Sequence, residues 1–338
     1  MSQFRVQDPE AIDEQLINEK LRDNDEVIVQ FSKPIYTEKI LAQLDALASA
    51  NDSKFTIRFY DSRIRGIDCE FLEHIPNVKS LSIDCVVQAK NIDKLKQLNF
   101  LEKVGIGIFE LEDLDILSYE NLKKVNSLSI LDTRSKALNL EFLCDYVNLT
   151  YLQIAGHTKN INSISNLNQL ETLSLNSVRK VPLDFINHIK SLKTLRIILG
   201  GRDNINEIAE NTIENLDIIW VRGFNDLSAL KNFKSLKNLL IQDEIKLAEI
   251  QFPKLDKLVD VKILNCKTLR KISGLEQLVS LTDLRIAGTA IDFGDFSNSA
   301  FPENLKTLAF YTWKSKQDKI NRSRLDELGF NEFGSQFE

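Results

Sequence analysis

The residue types in this chain that could do chemistry are three histidines, four cysteines, a short acidic run and one glycine pair, and their spacing argues against catalysis. His74, His157 and His188 stand at unrelated places, none with a second His, Cys or carboxylate at the separation a metal site needs. His74 and His188 precede Ile75 and Ile189 and read as surface residues. His157 follows a strand-like stretch, where a functional group could sit. Cys69, Cys85, Cys144 and Cys266 are scattered without a CxxC pair, which predicts free, buried thiols in a reducing compartment. ELEDLD (Glu110–Asp115) offers carboxylates to a cation but reads as a solvated loop. LGGRDN (Leu199–Asn204) has neither the spacing nor the lysine of a phosphate-binding loop, so a tight turn is expected. No metal and no cofactor follows from these residues, and the chain is not expected to be an enzyme.

The elements that would have to position any functional group repeat. LKTLRI (Leu192–Ile197), LKNLLI (Leu236–Ile241) and LTDLRI (Leu281–Ile286) share one phrase. Taking the first strand residue of each copy gives twelve anchors: Ile57, Leu81, Val104, Leu128, Leu152, Leu173, Leu195, Leu216, Leu239, Val261, Leu284 and Leu308. Successive anchors are 21 to 24 residues apart, the signature of a solenoid. Between strands the apolar period changes to three, as in Ile161, Ile164, Leu167 and Leu170. That step matches a 3₁₀ helix or a short irregular helical turn.

Over about residues 55–313 this pattern resembles the leucine-rich repeat family, in the short-period form of bacterial internalins and of regulatory subunits of protein phosphatase 1. The resemblance implies an α/β repeat solenoid: a curved array with a parallel concave sheet and a convex side of 3₁₀ or short helical turns. The family often stacks Asn, Cys or Thr five residues past the anchor. Here that place holds Thr133, Cys266 and Thr289, but also Val86, Phe109, Val178 and Trp313, so the ladder reads as broken.

The ends depart from the repeat. Residues 1–54 are expected to form an N-terminal segment and β-α cap, with a strand over Val27–Phe31 and an amphipathic helix over Thr37–Ser49. Residues before Asp25 form a short helix around Ile12–Leu21 or stay loose. Residues 314–338 are expected to be a C-terminal cap and tail, docking through Ile320, Leu325, Leu328 and Phe330 with Gly329 as a helix stop.

On each strand the anchor and the residue two beyond it face inward. Residues one before, one after and three after the anchor face out, onto the default binding surface of such arrays. Among the charged and aromatic groups placed there or just beyond, with Lys103 and Asp260 outward as well, are Arg58, Tyr60, Asp84, Tyr151, Arg196, Asp217, Lys262, Asp283, Arg285, Tyr311 and Trp313. These are the candidate partner-binding residues. For Arg196, Asp217, Lys262, Asp283 and Arg285 the alternative is that they pair across neighbouring strands.

With 49 acidic against 43 basic residues the net charge is −6, which argues against general nucleic-acid binding. No apolar run approaches the length that spans a bilayer, and the opening MSQFRVQDPEAIDEQL has no secretory pattern. The expectation is a cytoplasmic, non-enzymatic scaffold that binds one protein partner through its concave face, as an inhibitor, immunity protein or adaptor. The alternatives are a self-associating structural protein, dimerising through Tyr311 and Trp313, and a secreted bacterial effector that binds a host protein.

Overall fold

The structure, a computed structural model, describes residues 2–60, 66–134, 136–179 and 181–332. The chain divides into two compact units, Met1–Leu170 and Glu171–Glu338. Among the described residues of the first, parallel strands run over Gln3–Gln7, Glu26–Phe31, Phe55–Tyr60, Ser80–Val86, Lys103–Ile108, Ser127–Ile130 and Tyr151–Ala155. Those of the second run over Thr172–Asn176, Thr194–Ile198, Asn215–Ile219, Asn238–Gln242, Asp260–Leu264, Asp283–Ala287 and Thr307–Tyr311.

Register follows the anchors. In the first unit Ile57 pairs with Leu81, Leu81 with Val104, Val104 with Leu128 and Leu128 with Leu152. In the second the ladder runs Leu173, Leu195, Leu216, Leu239, Val261, Leu284, Leu308. All twelve anchors are buried, as are inner partners such as Ile154, Ile218 and Ile241. Each strand thus presents one apolar face to the core and one face outward.

The step of three in the return segments resolves as 3₁₀ helix, over Cys69–His74, Ile92–Gln97, Leu140–Asp145 and Ile161–Asn166 in the first unit. Asp184–His188 and Ser228–Asn232 do the same in the second. Short parallel pairs also form in the return segments, Ile67–Asp68 with Ala89–Lys90 in the first unit and Glu249–Gln251 with Lys271–Ser273 in the second, the latter burying Ile250.

At the N-terminus the expected strand and helix are present, over Glu26–Phe31 and Glu38–Ala50. Thr37 accepts a hydrogen bond from the Ile40 N–H at the helix start. Ile40, Leu41, Leu44 and Leu47 are buried on one stripe. The early helix is real, Glu14–Asp23, but an unexpected edge strand, Gln3–Gln7, precedes it and pairs with Glu26–Phe31. At the other end helix Ser315–Glu327 forms, yet its docking face is corrected: Leu325 and Asn321 are buried, whereas Ile320 and Leu328 are exposed. The reason is that Arg322 lies against the sheet edge, donating to the Leu308 carbonyl at 3.0 Å, and turns Ile320 outward. Residues 333–338 of the expected tail lie outside the described residues.

The ladder position five past the anchor is filled more often than its composition suggests. His157 is buried there; its Nδ1 accepts from the Leu138 N–H at 3.0 Å, so Nε2 carries the proton and donates to the Leu131 carbonyl at 2.9 Å. Burial holds its pKa below the usual histidine value. His157 is therefore a spacer that satisfies backbone groups, not a functional group. Cys266 takes the same place, with Sγ 3.5 Å from the Leu264 carbonyl. Glu244 takes it too, fully buried, with Oε1 accepting from the Val221 N–H at 2.8 Å and Oε2 unpartnered among the described residues. Burial, with a smaller contribution from Asp243, raises the Glu244 carboxyl to about 7, the Val221 hydrogen bond opposing it. Of the cysteines, Cys69 and Cys266 are buried as expected, but Cys85 is exposed and Cys144 half-buried.

Two measurements test this core. Leu239→Ala should destabilise the protein by roughly 2–5 kcal/mol in urea denaturation, as buried Leu truncations do; a change below about 1 kcal/mol would contradict the register. Glu244 is protonated in the folded state up to about pH 7, whereas its unfolded value is near 4.5. Its contribution is fully present below the unfolded value and is lost as pH rises through the folded one. Between pH 4.5 and 7.5 the wild type should therefore lose on the order of 3 kcal/mol relative to Glu244→Gln. Parallel stability curves for the two proteins would refute the assignment.

Candidate functional site

The outward columns of the first unit show how a site arises from residue size. One residue past the anchors the ladder reads Arg58, Ser82, Gly105, Ser129, Gln153. Side chains shrink to nothing at Gly105 and grow again beyond it. The result is a recess of about 360 Å³ in the sheet face, floored by Gly105 and edged by Lys103, Asp84, Ser129 and Gln153. Gly105 keeps the floor open: a Cβ there would come within 2.7 Å of Ser82 Oγ, which would have to turn away. Gly107, beside a bulge between Ile83 and Val86, is packed closely too, a Cβ there coming 2.7 Å from Leu131 Cδ1 and 2.9 Å from Asp84 Cβ.

Two ionic networks wall the recess. On one side Glu26 accepts from Gln3 Nε2 at 2.6 Å and Thr56 Oγ1 at 3.0 Å, and it pairs with Lys103. Thr56 in turn shares a 2.8 Å hydrogen bond with the fully buried Ser80. On the other side Arg58 grips Asp84 with two hydrogen bonds, of 2.9 and 2.6 Å, and donates to Gln30 at 3.1 Å. Its guanidinium lies 4.4 Å from the centre of the Tyr60 ring, and Tyr60 donates to Gln7 at 2.8 Å. Burial would raise the Asp84 carboxyl, but hydrogen bonds from Arg58 and Ser82 outweigh it and hold the pKa below the usual range. The same hydrogen bond raises Arg58, against burial.

Asp84, expected as an exposed anchor, is only 8% accessible and serves as the counter-ion of Arg58. Arg58, Tyr60 and Asp84 are brought together. Tyr151, two columns along, donates to Gln153 at 3.1 Å at the far rim. Glu26 and Gln30, which complete the walls, were not expected to face outward, and Lys103, outward by its place before Val104, was not among the candidate binding residues. Glu26 and Gln30 lie on the strand that reads as a cap, so no repeat position marked them.

In the second unit Arg196 and Asp217 occupy the same register and pair at 2.9 Å, the cross-strand alternative realised. Burial raises Asp217, with Arg196 and Lys262 opposing. Lys262 instead approaches Asp260 on its own strand at 3.6 Å, and Asp283 accepts from Thr282 Oγ1. Arg285 lies 5.8 Å from the centre of the Tyr311 ring. Tyr311 stacks on Trp313 at 6.3 Å, and Trp313 Nε1 donates to Asn265 at 3.2 Å. These residues form a second outward cluster, described within its own unit. The acidic run at Glu110–Asp115 is drawn into local bonds, with Tyr119 donating to Asp113 and Arg134 pairing with Glu110 at 2.8 Å. Among the described residues no group of three or more His, Cys, Asp or Glu is placed to hold a metal ion. No described helix is long and apolar enough to cross a membrane.

The sequence matches no protein-family model, and no curated protein matches it. Solved structures do resemble it. An internalin from Listeria monocytogenes aligns with a TM-score of 0.53 at 17% identity, over 90% of this chain and 86% of that one. A leucine-rich repeat protein from Leptospira interrogans aligns at 0.52 and 14% identity, over 96% and 93%. Toll from Drosophila, in its complex with Spatzle, aligns at 0.54 and 16% identity, over 91% of this chain but 43% of that one. Parallel strands in anchor register, 3₁₀ return turns and these alignments establish the fold as that of the leucine-rich repeat proteins, of the internalin-like type.

Proposed function

We propose that the chain is a non-enzymatic scaffold that grips a protein partner through its outward sheet faces, as an inhibitor, immunity protein or adaptor. The observation that carries this reading is the recess over Gly105. Its floor lacks a side chain, and its walls are ion pairs already locked by neighbouring hydrogen bonds. Such walls are preorganised, so a side chain entering the recess orders little on binding. A space of about 360 Å³ takes a large partner side chain together with part of a neighbouring one, with the Lys103–Glu26 and Arg58–Asp84 pairs at its rim. The structure of Toll is that of a complex with the protein Spatzle, which supports protein binding as a use of this architecture. The Arg196, Lys262, Arg285 and Tyr311 cluster extends the proposed contact surface in the second unit. The buried, unpaired Cys69 and Cys266 favour a reducing, cytoplasmic setting.

A photo-crosslinking amino acid in place of Gln153 should trap a single protein partner in cells of the source. Ser129→Trp fills the recess without touching the inner face, since Ser129 points outward beside Gly105. It should abolish the adduct and weaken the purified partner by about tenfold or more, with the melting temperature unchanged. An undiminished adduct in folded Ser129→Trp would remove the recess from the interface. Arg196→Gln, Lys262→Gln and Arg285→Gln together then report on the second unit's face.

A further inference from the structure

The strand-exit edge of the Glu171–Glu338 unit carries two exposed columns that lie beyond the sheet face. Four residues past the anchor the backbone turns left-handed, which lets each N–H reach the next rung. Ser177 donates to the Ile198 carbonyl, Leu199 to Ile219 and Trp220 to Gln242, all at 2.8 Å. Asp243, Asn265 and Gly288 occupy this state in later rungs, and such residues tolerate it. Leu199 (φ 59°) and Trp220 (φ 53°) do not suit it, yet they hold it on adjacent rungs while 41% and 63% exposed. Neither backbone preference nor burial accounts for a bulky apolar residue at either place. Residues kept in disfavoured states cluster where ligands are contacted, and exposed Trp is the commonest interface anchor.

Two residues further on, Arg179, Gly201 and Arg222 share one register through parallel bridges. Strand spacing sets the two arginine backbones roughly 10 Å apart, with no side chain between them. Both arginines are exposed. Among the described residues neither forms an ion pair, the nearby Arg196 and Arg202 being the ones that do. Asp203 sits instead against Gly223, where a Cβ would come 3.2 Å from its Oδ1. Arg202 lies beneath this edge: its N–H donates to the Arg222 carbonyl at 3.1 Å, and its side chain, 9% exposed, donates through Nη2 to the Val181 carbonyl at 2.7 Å. Its Nη1 has no hydrogen-bond partner among the described residues and only Glu207, 3.9 Å away, as a counter-charge.

We propose that this edge docks an acidic protein segment, with a carboxylate seated over Gly201 between Arg179 and Arg222 and an adjoining apolar side chain laid on Leu199 and Trp220. Guanidinium pairs recognise carboxylates through paired N–H donors, and the flanking arrangement supplies two such forks. The proposal shares with the recess reading only the premise that the chain binds protein, since the two surfaces use different residues. A net charge of −6 repels acidic polymers in general, so capture of one is a local property.

The probe is a fluorescein-labelled copolymer of Glu and Tyr, followed by fluorescence anisotropy, with poly-Glu, a Lys–Tyr copolymer and a single-stranded oligonucleotide beside it. The wild type should bind the Glu–Tyr copolymer more tightly than poly-Glu, leave the Lys–Tyr copolymer free, and weaken as salt rises. Arg179→Glu with Arg222→Glu should weaken binding by about tenfold or more, and Trp220→Ala should reduce it to the poly-Glu level. Gly201→Glu is the sharper variant. A Cβ there meets only the Arg222 carbonyl at 3.5 Å, so the new carboxylate can fold into the gap and occupy it. It should abolish binding while leaving the melting temperature unchanged or raised, whereas Ser129→Trp should bind the copolymer as the wild type does. Undiminished binding by folded Gly201→Glu, or tighter binding of the oligonucleotide than of the copolymer, would overturn the proposal. Loss in Ser129→Trp would instead assign the copolymer to the recess.

Discussion

An anchor residue in this chain can leave water only if the rung beside it does the same. Leu216 is buried because Leu195 and Leu239 stand in register on either side, and they in turn depend on Leu173 and Val261. No rung encloses its own core, so the stability of one is conditional on its neighbours. Everything outward depends on that inner register. Because the side-chain period of a strand is two, fixing which residues face in also fixes which face out. Within its own unit, each of the recess, the ion pairs and the exposed edge is a set of ladder columns.

The strand exits from Ser177 to Gly288 obey a second constraint, imposed by backbone hydrogen bonding. There a left-handed residue four past the anchor keeps its N–H directed at the next rung, and the chain then turns back. Where the following place is buried, as at His157, Glu244 and Cys266, it lies close to carbonyls and N–H groups left over from the turn, which is why a polar side chain is useful there. His157, Glu244 and Cys266 are three chemically different solutions of one accounting problem. His157 balances it with one accepted and one donated bond. Glu244 closes only half of it, leaving a buried oxygen without a partner and a carboxyl that favours its neutral form.

What was legible in the sequence was what repeats. The anchors, their register and the three-residue step of the return turns recur often enough to be read from apolar spacing alone. What was not legible was what occurs once. The Gln3–Gln7 strand belongs to no copy, and its alternation over five residues is too short to separate from a loop. The ladder read as broken at Val86, Phe109, Val178 and Trp313, and Phe109 and Trp313 are indeed exposed there, but apolar spacing did not show that His157 and Glu244 fill the same place in other rungs. The helix Ser315–Glu327 buries Asn321 rather than Ile320, since its orientation is set by Arg322 reaching the Leu308 carbonyl, a contact no periodicity encodes. Of the site, the outward direction of Arg58, Tyr60 and Asp84 was readable, but the burial of Asp84 was not. That depends on Arg58 folding over it and on the bulge that follows Ile83.

On two adjacent rungs of the second unit's face, charge is arranged by column rather than by rung. Asp260 stands directly opposite Asp283, and Lys262 directly opposite Arg285. Like charges directly across from one another destabilise a sheet. Exchanging the two residues of one strand would remove both repulsions while keeping composition and inner register intact. The strain is registered at Asp260, where burial raises the carboxyl and Asp283 adds to it, with Lys262 opposing. Arg196 opposite Asp217, two rungs earlier, shows that the favourable arrangement is accessible in this same framework. An acidic pair beside a basic one gives these two rungs a fixed polarity along the strand direction, which a partner can read and the sheet itself does not need. That polarity supports the outward face as a binding surface on grounds independent of the recess in the first unit.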